Sequence, residues 1–223
     1  MRSVLVDFDG TASAHDVAEH LMEAFGAPDW QRWDEVWARG EIDTRTAIRA
    51  QVAPFRATED ELVAFALAHC SLDPTFVPFV TWCRERELEV TIVSDGLGLY
   101  VEPMLRAAGV EDLAVITNTW DGGRLSFPNG HPECIRCGTC KMLAVQRARG
   151  PVAFVGEGSS DRYGALYADV VFAKDALVEH CVQDGVPYVA WKDFDDVRRW
   201  LDAARELPGA VAPLRCPGWM PPT

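Results

Sequence analysis

Short apolar runs alternate with longer amphipathic stretches along most of the chain. The runs are rich in Val and Ile and too short for helices, so each predicts a buried β-strand. They cover residues 3–8, 89–93, 113–117, 152–155, 170–172 and 188–191. Between most of them, apolar residues recur at helical spacing, as in Phe76, Phe79, Val80 and Cys83. This alternation predicts an α/β fold, with a doubly wound, mostly parallel sheet and helices on both faces.

Three stretches depart from this alternation. Residues 16–70 show helical periodicity and no strand pattern, which predicts a helical cap inserted directly after the first strand. Asp43 and Thr58 are candidate N-caps of its helices, and the pair Thr58 and Glu61 fits a capping box. Residues 119–138 are rich in Gly, Asn, Pro and Cys, which favours an irregular excursion or a hairpin. Residues 207–223 contain five prolines and predict a surface tail. The predicted core domain is then residues 1–15 and 71–206.

Composition and charge narrow the classes of function. The 223 residues include 34 acidic and 21 basic side chains, a net charge of −13, which argues against a nucleic-acid partner. The longest apolar stretch, residues 62–68, is far shorter than the roughly 18 residues of a membrane span, so we expect no membrane partner. Asp7 and Asp9 interrupt the apolar N-terminus, which is unlike a signal peptide. Seven cysteines without such a signal fit a reducing cytoplasm.

The clearest chemical signal is the sequence Asp7-Phe8-Asp9-Gly10-Thr11 at the end of the first predicted strand. Ligands bind at this edge of open parallel sheets. Two carboxylates one residue apart can divide the chemistry, because one attacks phosphorus or binds a metal while the other moves a proton. A plain surface turn is the alternative, since Asp and Gly are common turn residues. The apolar strand leading directly into these residues favours the chemical interpretation.

Three further polar sets follow later predicted strands or open a helix. They are Ser94 with Asp95 and Gly96, Lys141, and the sequence Gly156-Glu157-Gly158-Ser159-Ser160-Asp161. Each is weak alone, because an exposed Lys is usually solvated and a glycine-rich turn is usually only a turn. Together they would supply a hydroxyl, a cation and a second acidic pair at one sheet edge. Phosphoryl transfer uses such a combination of groups.

In this order, the four motifs resemble those of the haloacid dehalogenase-like hydrolase superfamily over nearly the whole chain. The helical insertion resembles the cap of its phosphoserine-phosphatase-like branch. Residues 129–134, 137–141 and 160–174 resemble the methionine-salvage phosphatases that act on 2-hydroxy-3-keto-5-methylthiopentenyl-1-phosphate. The resemblance implies a Rossmann-like core and a Mg²⁺-dependent phosphatase that acts on a small phosphorylated metabolite.

The resemblance also implies a role for each matching residue. Asp7 would be the nucleophile that forms an aspartyl-phosphate, and Asp9 would protonate the leaving alcohol and then deprotonate water. Ser94 and Lys141 would bind the phosphoryl group. The other residues implied in substrate or phosphate binding are Gly10, Thr11, Asp16, Asp95 and Gly96. The implied Mg²⁺ ligands are Asp7, the carbonyl of Asp9, Glu157 and Asp161.

Three positions depart from the family pattern or allow a second interpretation. Glu157 stands where many members carry Asp, so its carboxylate reaches one methylene further. Asp95 stands where phosphoserine phosphatases usually have Gly, which argues against serine phosphate as the substrate. Asp16 matches a position where those enzymes carry a substrate-reading Glu, but it would also serve as the N-cap of the next helix.

A cysteine cluster and the cap offer further candidates. His131, Cys134, Cys137 and Cys140 recur every three residues and are candidate zinc ligands. Structural zinc sites usually take two separated ligand pairs, so free thiols packing a loop are the alternative.

In the cap, Trp33 and Trp37 share one helical face, a pattern more typical of core than of a ligand cage. Arg45, Arg49 and Arg56 are candidates for the substrate's polar end, although such side chains are usually solvated.

Three alternative functions stay open at this point. The first is a phosphotransferase that uses the same aspartyl-phosphate, and the second is a zinc-stabilised binding module on a degenerate scaffold. The third is a carbon–halogen hydrolase of the same superfamily. Such hydrolases need no Mg²⁺, so the acidic pair Glu157 and Asp161 counts against the third.

Overall fold

A computed structural model describes residues 1–134, 136–203 and 216, and its centre is a seven-stranded sheet. The strands are β1 Ser3–Val6, β2 Glu89–Leu97, β3 Ala114–Asp121, β4 Arg124–Ser126, β5 Val152–Gly156, β6 Val170–Ala173 and β7 Val189–Ala190. Their order is β4-β3-β2-β1-β5-β6-β7. Every neighbouring pair is parallel except β3 and β4. The predicted α/β class with a mostly parallel sheet is confirmed.

Helices pack against both faces of this sheet. The α-helices of the described residues are α1 Val17–Phe25, α2 Gln31–Ala38, α3 Thr44–Val52, α4 Glu59–His69, α5 Phe76–Glu85, α6 Gly98–Ala107, α7 Lys141–Arg147, α8 Arg162–Ala165, α9 Asp175–Asp184 and α10 Phe194–Ala203. Side chains of β1 alternate between two cores, because Val4 and Val6 join one buried cluster and Leu5 joins the other. This burial on both faces explains why the central strands are continuously apolar in sequence.

The four helices α1 to α4 lie between β1 and α5, and residues 16–70 contain no strand. The two ends of this insertion are joined by backbone hydrogen bonds. The amide of Ala14 donates to the carbonyl of Ser71 at 3.0 Å, and the amide of Asp73 donates to the carbonyl of Ala12 at 2.9 Å. An insertion needs its two ends side by side in this way. The division into a cap and a core domain stays a prediction.

The cysteine-rich excursion has two parts. Residues 119–126 form the antiparallel β3–β4 hairpin, with Thr119 opposite Ser126. The described residues that follow, up to 138, have no helix or strand. Of the predicted proline-rich tail, residues 207–223, only Cys216 is described. In the described part of the chain, no helix is long and apolar enough to cross a membrane. The cytoplasmic location stays a prediction.

Substitution at the N-terminus of α4 would measure how much local capping contributes to the stability of the helical insertion. Thr58 and Glu61 form a capping box, in which the Thr58 hydroxyl accepts from the Glu61 amide and the Glu61 carboxylate accepts from the Thr58 amide. We expect Thr58→Ala to lower the free energy of unfolding by about 1 kcal/mol, measured by urea denaturation. Thr81→Ala, at an exposed position inside α5, is the matched control and should cost nothing, because Ala is the better helix former. Equal losses in both variants would contradict the capping role.

Candidate active site

The predicted site residues converge because three parallel strands end together. Val6 at the end of β1 lies opposite Ile92 of β2 and Val155 of β5. The residues that continue these strands therefore meet at the carboxyl edge of the sheet, so Asp7 lies near both Ser94 and the turn that begins at Glu157. This is the edge at which the sequence predicted the chemistry.

Lys141 connects the elements at this edge. Its Nζ donates to Oδ1 of Asp7 at 2.7 Å, to Oδ1 of Asp161 at 2.6 Å and to Oγ of Ser160 at 3.1 Å. The Lys141 side chain is only 1% exposed. Burial alone would lower the pKa of Lys141, but the charges of Asp161 and Asp7 raise it above the ordinary value. The ammonium group is therefore charged at neutral pH and holds both carboxylates.

Asp7 and Asp161 are both buried beside this ammonium group. Burial and the charge of Asp161 raise the pKa of Asp7 well above its usual value, while Lys141 acts to lower it. Oδ2 of Asp161 accepts from the amides of Glu157 at 3.0 Å and Gly158 at 2.9 Å, which fixes the carboxylate. Gly156 is required here, because a Cβ would lie 2.5 Å from the Asp161 carboxyl group. Two carboxylates and one cation leave an excess of buried negative charge.

Asp9 has a different environment from Asp7. Its Oδ2 accepts from the hydroxyl of Tyr100 at 2.8 Å and its Oδ1 accepts from the amide of Val17 at 3.0 Å, while Ser94 Oγ lies 3.5 Å from Oδ2. Burial and the charge of Asp16 raise the pKa of Asp9 to about 7. Near neutral pH this carboxyl group can therefore both hold and release a proton, as a general acid–base requires.

The contact between Tyr100 and Asp9 was not predicted from the sequence. Tyr100 lies on α6 and is fully buried, so its sequence context is that of an ordinary core aromatic residue. The indirect signal is Gly96, where a Cβ would lie 2.1 Å from Tyr100 Oη and 2.6 Å from Oδ2 of Asp9. Glycine is thus needed at 96 for the tyrosine to reach the carboxylate. Ser160, which contacts Lys141, was given no role either.

Glu157 lies against the turn that follows Asp7. Gly10 adopts a φ of +66°, and a Cβ there would lie 2.8 to 3.1 Å from the Glu157 carboxyl group. Burial and the charge of Asp161 raise the pKa of Glu157 to about 7, against the effect of Lys174. The first and last acidic motifs therefore meet in space.

Asp95, Thr11 and Asp16 also lie at this edge. Oδ1 of Asp95 accepts from the Thr139 amide at 2.5 Å, so it anchors the loop that leads into Lys141. The Thr11 hydroxyl is buried and has no hydrogen-bond partner among the described residues. Asp16 is the N-cap of α1, since its Oδ1 accepts from the amide of Glu19 at 2.8 Å, and it also lines the cavity described next. Their roles in substrate or phosphate binding stay predictions.

A cavity of about 310 Å³ opens above these groups. It is lined by Asp7, Asp9 and Ser94 and also by residues of α2 and α3 that include Trp37 and Ile48. The two tryptophans of the predicted stripe thus differ, because Trp37 lines the cavity and Trp33 does not. The three cap arginines do not line it either.

The predicted zinc site is not supported. Among the described residues, no three His, Cys, Asp or Glu side chains are grouped so that they alone would hold a metal ion. Nδ1 of His131 accepts from the amide of Glu133 at 3.1 Å, and Sγ of Cys134 accepts from the amide of Arg136 at 3.5 Å. A magnesium site that includes a backbone carbonyl is a different donor set and is taken up below.

Comparison with known proteins identifies the family. The fold and site are those of a doubly wound α/β enzyme with its cavity at the carboxyl edge of the sheet. A model of the haloacid dehalogenase-like hydrolase family matches residues 4–165, and the chain belongs to that family. The 2-hydroxy-3-keto-5-methylthiopentenyl-1-phosphate phosphatase of Brevibacillus brevis is 28% identical over 211 residues, which cover 90% of this chain and 95% of that protein. The predicted family and the prediction of a hydrolytic enzyme are confirmed, and phosphatase relatives are consistent with a phosphoric monoester hydrolase.

Solved structures show the same fold. A phosphoserine phosphohydrolase-like protein from Francisella tularensis superposes with a TM-score of 0.65 at 18% identity, covering 90% of this chain and 100% of that one. A phosphoserine phosphatase described as a phospho-aspartyl intermediate analogue has a TM-score of 0.64 at 16% identity, covering 90% and 97%. At these identities the similarity concerns the fold alone.

The Lys141 ion pairs give a test of the site's electrostatics. We expect Lys141→Met to lower the free energy of unfolding by about 3 kcal/mol at pH 7, because two buried carboxylates lose their cation. The loss should shrink as the pH falls, because protonation neutralises Asp7, whose pKa is raised. Adding Asp7→Asn to Lys141→Met should recover part of it, which urea denaturation of all variants would measure. A Lys141→Met protein as stable as the parent at pH 7 would contradict the ion pairs.

Proposed function

We propose that this protein hydrolyses the phosphomonoester of a small metabolite through an aspartyl-phosphate on Asp7. The observation that carries the proposal is the buried Lys141 bound to Asp7 and Asp161, next to an Asp9 whose pKa is raised to about 7. A nucleophile, a fixed cation and a proton donor thus line or adjoin one end of a cavity of metabolite size.

The chain's own residues account for both halves of the reaction. Lys141 holds Oδ1 of Asp7, so Oδ2 is the oxygen that attacks phosphorus, while Asp9 donates its proton to the departing alcohol oxygen. Asp9, now a carboxylate, takes a proton from the attacking water in the second half. Water then adds to phosphorus, phosphate departs, and Asp7 regains its carboxylate. Ser94 and Lys141 would hydrogen-bond the phosphoryl oxygens in both halves.

The donor set at the site fits Mg²⁺. Asp7, the carbonyl of Asp9 and Glu157 offer only oxygen, which is the ligand that Mg²⁺ prefers. Asp161 would act next to the ion, because its Oδ1 already accepts from Lys141 and its Oδ2 from the amides of Glu157 and Gly158. Phosphatases of this family generally use Mg²⁺. The raised pKa of Asp7 supports a further cation here, because Lys141 alone does not offset the buried carboxylates. When bound, the ion would stabilise negative charge on the phosphoryl oxygens.

The helices of residues 16–70 are proposed to act as a cap over the cavity. Trp37, Thr44 and Ile48 of α2 and α3 line the same cavity as Asp7. Closure of this segment would exclude bulk water during phosphoryl transfer.

A methionine-salvage phosphate is the finer candidate for the substrate. The Brevibacillus brevis relative is named for such a phosphate. Trp37, Ala47 and Ile48 give part of the cavity an apolar wall, which suits a thioether tail.

Two of the alternatives can be separated from hydrolysis. A phosphotransferase would release more alcohol product than free phosphate when an acceptor alcohol is added. A zinc-stabilised binding module would carry stoichiometric zinc and hydrolyse nothing. The convergence of Asp7, Asp9, Ser94, Lys141 and Asp161 supports an active enzyme over a degenerate scaffold.

The nucleophile is tested by one substitution. We expect Asp7→Asn to abolish hydrolysis of p-nitrophenyl phosphate in Mg²⁺, because an amide cannot form the acyl-phosphate. Release of p-nitrophenol measures the rate, and Asp112→Asn, at an exposed position outside the cavity, is the control that should keep full activity. Full activity of the Asp7→Asn variant would contradict the proposed mechanism.

The metal is tested by removing it. We expect chelation with EDTA, followed by desalting, to remove p-nitrophenyl phosphatase activity, and added Mg²⁺ to restore it. Metal analysis of the active protein should find no stoichiometric zinc. Undiminished activity after chelation would show that the oxygen donors work without a divalent ion.

A further inference from the structure

Tyr100 places a buried hydroxyl beside the proposed general acid–base. The residue lies in the first turn of α6, which begins directly after β2. Side chains of a helix lean toward its N-terminus, so the ring points back to the end of the strand. The ring is fully buried and packs against Phe8, with 6.1 Å between the ring centroids. A phenylalanine would satisfy this packing, so the hydroxyl must be explained by its own contact.

That contact is a hydrogen bond to Asp9, and glycine at 96 leaves the space for it. The Tyr100 hydroxyl donates to Oδ2 of Asp9 at 2.8 Å. A Cβ at Gly96 would lie 2.1 Å from the hydroxyl oxygen and 2.6 Å from Oδ2. Because the ring is buried and cannot move aside, any larger residue at 96 would push the hydroxyl and the carboxylate apart.

The two oxygens of Asp9 are held from different sides. Oδ1 accepts from the amide of Val17, at the start of the helical insertion, at 3.0 Å. Oδ2 accepts from Tyr100 of the core helix α6, and Ser94 Oγ lies 3.5 Å from the same oxygen. Oδ2 is thus on the side of Ser94, where the phosphoryl group is proposed to bind. A protonated carboxyl oxygen still accepts a hydrogen bond, so Oδ2 can carry the proton and keep its bond to Tyr100.

Tyr100 can act on the reaction only through Asp9. Asp9 and Ser94 are among the described residues that line the cavity, whereas Tyr100 is not. Its hydroxyl is therefore out of reach of the substrate. What it can do is fix the direction of one carboxyl oxygen, and proton transfer is sensitive to that direction.

We propose that Tyr100 is a positioning residue that holds Oδ2 of Asp9 toward the leaving alcohol oxygen. This inference rests on the proposed phosphomonoesterase function. Asp7 forms the bond to phosphorus, the bond from phosphorus to the alcohol oxygen breaks with its electron pair on that oxygen, and the proton of Asp9 moves onto it. Tyr100 keeps its own proton, and its hydroxyl stabilises the carboxylate left on Asp9.

The role of Tyr100 should depend on the leaving group. p-Nitrophenolate is a stable anion and departs with little help from an acid. p-Methoxyphenolate has nearly the same size but is far more basic, so its departure needs the proton of Asp9. A misdirected Asp9 therefore slows the methoxy ester more than the nitro ester.

The experiment measures kcat/KM for both esters in Mg²⁺. This quantity covers the steps up to the departure of the alcohol, so the second half of the reaction does not enter. We expect Tyr100→Phe to lower it about tenfold for p-methoxyphenyl phosphate and only about twofold for p-nitrophenyl phosphate. The ratio of the two values is independent of how much of the protein is folded, because both are measured on one preparation.

Tyr167→Phe is the matched control. It also removes one tyrosine hydroxyl, which accepts from the amide of Cys216 at 3.3 Å, and Tyr167 is not among the described residues that line the cavity. Its ratio of kcat/KM values should equal that of the parent.

The outcomes separate this inference from the phosphatase function. If the parent hydrolyses both esters and Tyr100→Phe lowers them equally or not at all, the positioning role is wrong and the phosphatase function stands. The same holds if the parent hydrolyses only the nitro ester, because no acid then assists departure. If the parent hydrolyses neither ester, both proposals fall.

Discussion

The ion pairs of Lys141 are the interaction on which the rest of the site depends. They join β1, the start of α7 and the turn after β5 through one buried nitrogen. Removing two carboxylates and an ammonium group from water costs several kcal/mol per ion, which only close contacts and further hydrogen bonds offset. The amides at Glu157 and Gly158 provide such bonds to Asp161, and glycine at 156 leaves room for its carboxyl group. The turn, the helix and the strand end are therefore held in one geometry.

Asp9 shows how burial divides the work of two neighbouring carboxylates. Asp7 faces the ammonium group of Lys141, whereas Asp9 faces the neutral hydroxyl of Tyr100 and the amide of Val17. A desolvated carboxyl group with neutral partners keeps its proton to higher pH, which is the state that a leaving alcohol requires. Because Val17 begins the helical insertion, the state of Asp9 is also linked to the position of those helices.

The net charge of −13 is distributed unevenly over the structure. Several acidic residues are concentrated around one cavity, where Lys141 and the proposed Mg²⁺ would make one end favourable to phosphate. Asp16, Asp34 and Glu157 also line this cavity. An overall charge that opposes anions is thus compatible with a phosphate ester, provided that the remainder of the molecule is not itself anionic.

The sequence alone determined the sheet, the order of the four motifs and the ends of several helices. Strand periodicity and capping, as at Thr58 and Glu61, depend on residues that are neighbours in the chain, so they can be read locally. Only the tertiary structure decided that Tyr100 contacts Asp9 and that Arg45 turns from the cavity to the cysteine loop. It also showed that, among the described residues, the side chains of the cysteine cluster are not grouped to hold zinc. These contacts join residues brought together by packing, or hydrogen bonds set by a loop's path, and neither leaves a periodic signal in the sequence.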